Sequence, residues 1–210
     1  MASSPSYVHG ASDQPLIGET IGRYFDAVCA RGGGRDALVV RHQGVRLTYA
    51  ELRERVDALA CGLLRLGLVP GDRVGIWSQN NLEWVLTQLA TAKAGLILVN
   101  INPAYRRREL EYALRKVGCR ALILSPRFKS SDYLEIITSI LVELPASEPG
   151  KLCAAALPDL RWLIRLGEAR TLACSSWEEL SVSSSWRCMG AWARWRRSCP
   201  CPLWAWPSWG

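Results

Sequence analysis

The sequence is poor in the residues from which most metal centres and hydrolytic sites are built. Its 210 residues include two histidines, His9 and His42. His42 stands beside a turn, where a solvated loop residue is expected rather than a general base. No GxSxG run occurs, which excludes a nucleophile elbow. The eight cysteines never adopt CxxC spacing, so a structural zinc site is not expected. Cys199 and Cys201 flank a proline and, with Cys188 and no nearby histidine, make a poor metal set. Cys29, Cys61, Cys119, Cys153 and Cys174 lie singly, mostly in apolar runs, as expected of small hydrophobes in a reducing compartment. No apolar run of about 18 residues is present, so no transmembrane helix is expected. The first residues lack both an apolar signal core and an Arg-rich amphipathic helix, so residues 1–17 read as a leader without an import signal.

Acid is missing from one end only. After Glu179 there is no aspartate or glutamate, while Arg187, Arg194, Arg196 and Arg197 supply four of the seven net positive charges. The remainder is close to balance, which does not suit a phosphate-tracking surface, so nucleic acid is not an expected partner. Residues 181–210 are rich in Trp, Arg, Cys and Pro, with Trp186, Trp192, Trp195, Trp204, Trp206 and Trp209 among them, and show no helical or strand period. This composition is what G- and C-rich codons yield in an unselected frame, as from an altered frame or a retained intron. A tail of that kind is expected to be disordered. Its interleaved Trp and Arg residues leave open a second reading, contact with a membrane interface or single-stranded RNA.

Between these ends the composition is globular, with 49% hydrophobic and 21% charged residues. A helix is predicted from Thr20, with Ile21, Phe25, Val28 and Cys29 on its buried face, ending where Gly32, Gly33 and Gly34 offer left-handed backbone. These glycines follow a helix instead of opening one, so they do not read as a phosphate loop. Ala37–Val40 and Val45–Leu47 flank His42-Gln43-Gly44 as a hairpin. Thr48 and Glu51 have capping-box spacing, and Leu52, Val56, Leu59, Ala60, Leu63 and Leu66 continue the stripe of the helix they open. Glu51, Glu54 and Asp57 beside Arg53 and Arg55 read as its exposed charged face.

After the turn Pro70-Gly71-Asp72 comes a short strand, Arg73–Trp77. A helix capped by Asn80 or Asn81 follows, with Trp84, Val85, Leu89 and Ala92 facing inward. Leu96–Val99 reads as a strand. A helix carrying Leu110, Ala113, Leu114 and Val117 then runs to Gly118. Ala121–Leu124 reads as a strand, Tyr133–Leu144 as a helix and residues 145–156 as a loop. Leu160–Leu166 reads as a strand and Trp177–Leu180 as a helical turn. Short apolar strands alternating with helices predict an α/β fold: three layers, a mainly parallel sheet covered by helices on both faces, with right-handed crossovers. The expected organisation is a leader over 1–17, the N-terminal part of a larger domain over 18–180 and a tail over 181–210.

The ordered set Leu47-Thr48-Tyr49-Ala50-Glu51-Leu52, Gly71-Asp72-Arg73-Val74, Ala92-Lys93-Ala94-Gly95 and Asn102-Pro103-Ala104-Tyr105, with Glu109-Leu110 and Lys116-Val117-Gly118-Cys119, resembles the opening segments of the AMP-forming acyl-CoA synthetases. The likeness spans about residues 6–180 and is greatest to the mitochondrial medium-chain members. It implies an incomplete N-terminal half of an adenylating domain, with a parent activity that joins ATP, fatty acid and CoA through an acyl-adenylate. In that family the matched segments serve mainly as scaffold. The Ser/Thr/Gly-rich phosphate loop of the family does not occur here, and Lys93, Lys116, Lys129 and Lys151 do not lie in a glycine-rich context.

The expectation is therefore that this chain has no catalytic, cofactor-binding or metal-binding residue of its own. Neither ATP, Mg nor CoA is expected on it, although the complete family members use all three. A truncated isoform of this kind is expected to be inactive. The alternative is a non-catalytic module that associates with the full-length synthetase through an exposed sheet edge. The resemblance implies the mitochondrial matrix, whereas the chain's own start implies the cytoplasm.

Overall fold

In the computed structural model, residue 13 and residues 16–167 and 175–181 are described. Chain order is α1 (Ile21–Gly32), β1 (Asp36–Val40), β2 (Val45–Thr48), α2 (Tyr49–Arg65), β3 (Arg73–Trp77), α3 (Leu82–Ala94) and β4 (Ile97–Asn100). It continues through α4 (Arg107–Val117), β5 (Cys119–Leu124), β6 (Arg127–Phe128), β7 (Ser131–Asp132), α5 (Tyr133–Ile140), β8 (Trp162–Arg165), β9 (Ser175–Ser176) and α6 (Trp177–Ser181). The tail residues 182–210, with Cys188, Cys199 and Cys201, lie outside the described residues, as do Cys174 and most of the leader.

Five strands form a parallel sheet in the order β4-β3-β5-β8-β9. The α/β class and the parallel sheet flanked by helices are as expected. The path explains the layers. From β3 the chain crosses to β4, then reverses past β3 to β5 and continues to β8. Crossovers of one hand must change face when they change direction. Accordingly α3 packs with α1 and α2 on one face, and α4 and α5 lie on the other. The strands divide two cores. Val74, Ile76, Ala121 and Ile123 face the first, where they meet Val56, Leu59, Leu63 and Ala90. Trp77, Leu122 and Leu124 face the second, with Leu110, Leu114, Tyr133 and Ile137.

Helix ends follow local chemistry. The Thr48–Glu51 capping box is present at α2, where the Glu51 carboxylate accepts from the Thr48 backbone N–H at 2.8 Å. These bonds hold the Glu51 carboxyl below its ordinary pKa. Asn81, not Asn80, caps α3. Gly95 and Gly118 end α3 and α4 at φ 72° and 62°, left-handed backbone that glycine adopts without a β-carbon penalty. The hairpin turns through Gly44 at φ 65°.

Five expectations need correction. The end of α1 is right-handed at Gly33, φ −43°. Gly32 is instead small because a β-carbon there would meet Arg35 and Tyr49. Ile21 is exposed, since α1 rests on its neighbours through Gly22, Phe25 and Cys29. The fully buried face of α3 is Leu82, Leu86, Thr87, Ala90, Thr91 and Ala94, while Trp84, Val85, Leu89 and Ala92 are half-buried. Packing between α2, α1 and the sheet sets that phase. The helix after Asp132 stops at Ile140, followed by a single 3-10 turn, Leu144–Ala146. Finally, β4 is not covered on both faces: it is the outermost strand, and Ile97 is 50% exposed.

Candidate functional site at the carboxyl edge of the sheet

In an open parallel sheet, ligands gather where neighbouring strands send their chains in opposite directions. Here that place lies between the carboxyl ends of β3 and β5. Ser78 and Ser125 follow those strands, both buried, with their Oγ atoms 2.6 Å apart. Asn81 Nδ2 donates to Ser78 Oγ at 3.1 Å, and Ser78 Oγ donates to the Gln79 carbonyl at 2.9 Å. A hydroxyl has one donor and two acceptor positions. Ser78 is thus saturated, with Ser125 as the remaining donor. The Gln79 Oε1 atom is buried at this edge without a partner among the described residues.

Beside the serines, Trp77 and Tyr133 stack with ring centroids 3.6 Å apart and planes 9° from parallel. Both rings are fully buried. Their polar ends hold the next loop. Trp77 Nε1 donates to the Asn102 carbonyl at 3.2 Å, and the Tyr133 hydroxyl donates to the Pro103 carbonyl at 2.5 Å. Asn102 Oδ1 accepts from Ala104 N at 2.9 Å, closing an Asx turn. Burial pushes the Tyr133 hydroxyl up to about 12, against an opposing pull from Arg106. No local pattern links Trp77 to Tyr133, so sequence reading missed this platform and found only the Asn102-Pro103 break it supports.

Helix N-termini at such an edge commonly hold phosphate, through free N–H groups and the positive end of the dipole. Those of α3, α4 and α5 already have side-chain oxygens beside them. At α3, Leu82 N donates to Gln43 Oε1 at 2.7 Å and Trp84 N to Asn81 Oδ1 at 2.9 Å. At α4, Arg106 N donates to Glu109. At α5, Glu135 N donates to Asp132 Oδ1 at 3.0 Å, which lowers the Asp132 pKa. Each first turn also carries an acid, Glu83, Glu109 or Glu135. Negative charge at all three positions does not fit a triphosphate. Among the described residues, no group of three or more His, Cys, Asp and Glu is arranged to hold a metal ion. No described helix is long and apolar enough to cross a membrane.

The four lysines are scattered. Lys129 turns the β6–β7 hairpin at φ 51° and lies over the Phe128 ring, 5.4 Å from its centroid. Lys151 pairs with Glu148 at 2.7 Å, and Lys116 is exposed near the end of α4. Lys93 is the exception. Its side chain is 7% exposed and its ammonium bridges Asp26 of α1, at 2.6 Å, and Asp57 of α2. Arg53 stands 3.4 Å from Asp26 and 3.8 Å from Asp57. Asp57 therefore belongs to an inter-helix ion cluster, which corrects its place on an exposed face; Glu51 and Glu54 are exposed as expected.

The remaining matched segments have comparable local roles. Asp72 Oδ2 accepts from Val69 N at 2.9 Å across the turn at Gly71, φ 89°. Arg73 donates to the carbonyls of Val117 and Gly118, at 2.8 and 2.9 Å, and so closes the carboxyl end of α4. Cys29 and Cys119 are buried, and burial raises both thiols, Cys119 to about 12. Cys153 is exposed, contrary to its apolar sequence setting. His42 is exposed in the hairpin turn, as expected.

A doubly wound sheet with its loops pinned along one edge defines the open α/β class, and the comparison with protein families makes that class specific. Residues 25–168 match the AMP-binding enzyme family, and the chain belongs to it. More particularly, it is 47% identical over 159 residues to the mitochondrial medium-chain acyl-CoA ligase ACSF2 of Rattus norvegicus, across 76% of this chain and 26% of that protein. The Homo sapiens counterpart is 47% identical over 168 residues, 78% of this chain and 27% of that protein. Among solved structures, the N-terminal domain of FACL13 from Mycobacterium tuberculosis aligns with a TM-score of 0.54 at 25% identity, over 58% of this chain and 30% of that one. The chain thus spans about a quarter of the length of the curated relatives it matches.

Proposed function

We propose that residues 18–180 are the N-terminal portion of a medium-chain fatty acid–CoA ligase of the AMP-forming kind. The complete enzyme would convert ATP, fatty acid and CoA to acyl-CoA, AMP and pyrophosphate. The observation that carries this reading is the 47% identity to medium-chain ligases, which extends over about three quarters of this chain. That the relatives are mitochondrial ligases supports the mitochondrial matrix as the place where the complete ligase acts. A graft tests the reading: residues 18–167 replace the matching stretch of the rat relative. The chimera is expected to retain octanoyl-CoA formation within about tenfold, and a folded chimera without activity would overturn it.

By themselves, these 210 residues have no ligase activity and take up neither ATP, Mg nor CoA. Two facts support this: no Ser/Thr/Gly-rich phosphate loop is present in the sequence, and Glu83, Glu109 and Glu135 occupy the helix N-termini. Losing one preorganised donor costs about 10²–10³ in rate, and a whole cradle costs far more. The purified chain is expected to show no carboxylate-dependent exchange of pyrophosphate into ATP; exchange above background would refute the claim.

A second reading rests on β4. Among the described residues its outer edge has no pairing strand, and unpaired edges are templates for association. In this reading the chain is a module that binds the full-length synthetase. Co-purification of tagged chain and synthetase from a co-expressing host supports it, and clean separation of the two counts against it.

A further inference from the structure

Val99 and Ile101 lie two residues apart and so share the α4 face of β4 and its continuation. They floor an open groove of about 430 Å³ whose far wall is α4. Along that wall stand Arg108, Tyr112 and Lys116, each four residues from the next and all exposed, Tyr112 to 67%. Neither Arg108 nor Lys116 has an acidic partner among the described residues. Glu109, also at the groove, is engaged with the backbone N–H of Arg106. The site thus combines free strand edge, apolar floor, exposed aromatic ring and two unpaired cations.

We propose that this edge receives an extended strand of another polypeptide, carrying two carboxylates four residues apart with an apolar residue midway. It rests on the second reading above and adds the chemistry of the partner. The spacing follows from geometry. Eight residues of helix separate Arg108 from Lys116 by about 12 Å along the axis. Four residues of strand cover about 13 Å, and an even separation keeps both acids on one face. The midway residue then lies over Val99 and Ile101, beneath Tyr112. Backbone pairing with β4 supplies affinity and the alternate side chains supply choice, as in other strand additions.

Charge selects against two other occupants. Pairing β4 with β4 of a second copy would bring two Arg108–Lys116 walls together, and like charges there repel within a Debye length of about 8 Å. Nor do the residues outside the described ones supply such a strand, which needs two acids. They hold one, Glu168.

The test uses the full 210-residue chain and a fluorescein-labelled heptapeptide with glutamates at positions two and six, valine at four and threonine elsewhere. A control peptide has lysines in place of the glutamates. Fluorescence anisotropy is expected to show at least tenfold tighter binding of the glutamate peptide, weakening with salt. Hydrogen exchange should slow at the β4 amides on binding. Arg108→Glu with Lys116→Glu, at exposed positions where circular dichroism confirms the fold, should reverse the preference toward the lysine peptide. If neither peptide binds, the edge reading itself fails. If both bind alike, association at the edge survives and the acidic pattern is overturned. A homodimer that competes with the glutamate peptide would likewise overturn it in favour of a second copy.

Discussion

An ammonium group on a side chain that is 7% exposed has lost much of its hydration, and only close carboxylates can compensate. Asp26 and Asp57 do this for Lys93 from two different helices, so removing the cation leaves the two carboxylates with Arg53 alone to offset their repulsion. Breaking a fully buried pair costs about 3–5 kcal/mol. These carboxylates are one-third to one-half exposed, so screening lowers the expected cost of Lys93→Met to about 1–3 kcal/mol. Urea denaturation of Lys93→Met, alone and with Asp57→Asn, would read it. The second change should restore part of the loss, and additive losses would show that the cluster is not coupled.

At the same scale, burial favours the neutral forms of Cys119, raised from 9.0 to about 12, and Tyr133, raised from 10.0 to about 12. Folded values above unfolded ones mean that this stability is complete below the unfolded values and is lost as pH rises. The urea midpoint is therefore expected to hold to about pH 8 and to fall from about pH 9 upward, with a shallower fall in Cys119→Ala. Glu51 and Asp132, whose values are lowered, have the opposite sign and lose their contribution as pH falls. At neutral pH, iodoacetamide should label Cys153 in the native state and spare Cys29 and Cys119 until urea is added.

At the scale of elements, α2 meets α6 at Gly62, where an added β-carbon would run into the carbonyl oxygen of Leu180. Alanine favours helix over glycine by about 1 kcal/mol, yet this clash with backbone cannot be relieved by a rotamer change. Gly62→Ala is expected to destabilise by about 1–3 kcal/mol and to hasten chymotryptic cleavage at Trp177, since α6 must lift from α2. A stabilised variant would refute that contact. Gly62 also marks where sequence reading stops. Elements governed by near neighbours were legible: the Thr48 capping box, the Gly44 hairpin and the helices ending at Gly95 and Gly118. Features set by strand order were not. Leu96–Val99 looks like any buried strand, and its exposure follows only from being outermost. The face of α3 was misplaced because three neighbours, not one stripe, determine it. The Trp77–Tyr133 platform and the Lys93 cluster join residues far apart in sequence, where periodicity carries no signal.

For the whole molecule, the organisation expected from the sequence, a body over 18–180 followed by a Trp/Arg-rich stretch, is tested by proteolysis. A chymotrypsin-resistant product ending near residue 180, identified by mass spectrometry, is expected under brief digestion; progressive loss from within residues 20–167 would argue against a body of these limits. The candidate site was legible only as scaffold. Sequence motifs pointed to the family, whereas the side-chain oxygens beside the N-termini of α3, α4 and α5 became evident once Gln43, Asn81, Glu109 and Asp132 were placed in space.

The first of the two cores has a consequence for how the chain matures. Part of its wall is made early, by Val56, Leu59 and Val74, but the same core also includes Ile164, Leu166, Trp177 and Leu180. A nascent polypeptide emerging from the ribosome must therefore hold an oily helix face in waiting for over a hundred residues of further synthesis. Premature termination between the end of α2 and Leu180 would release a product whose α2 surface invites chaperone capture.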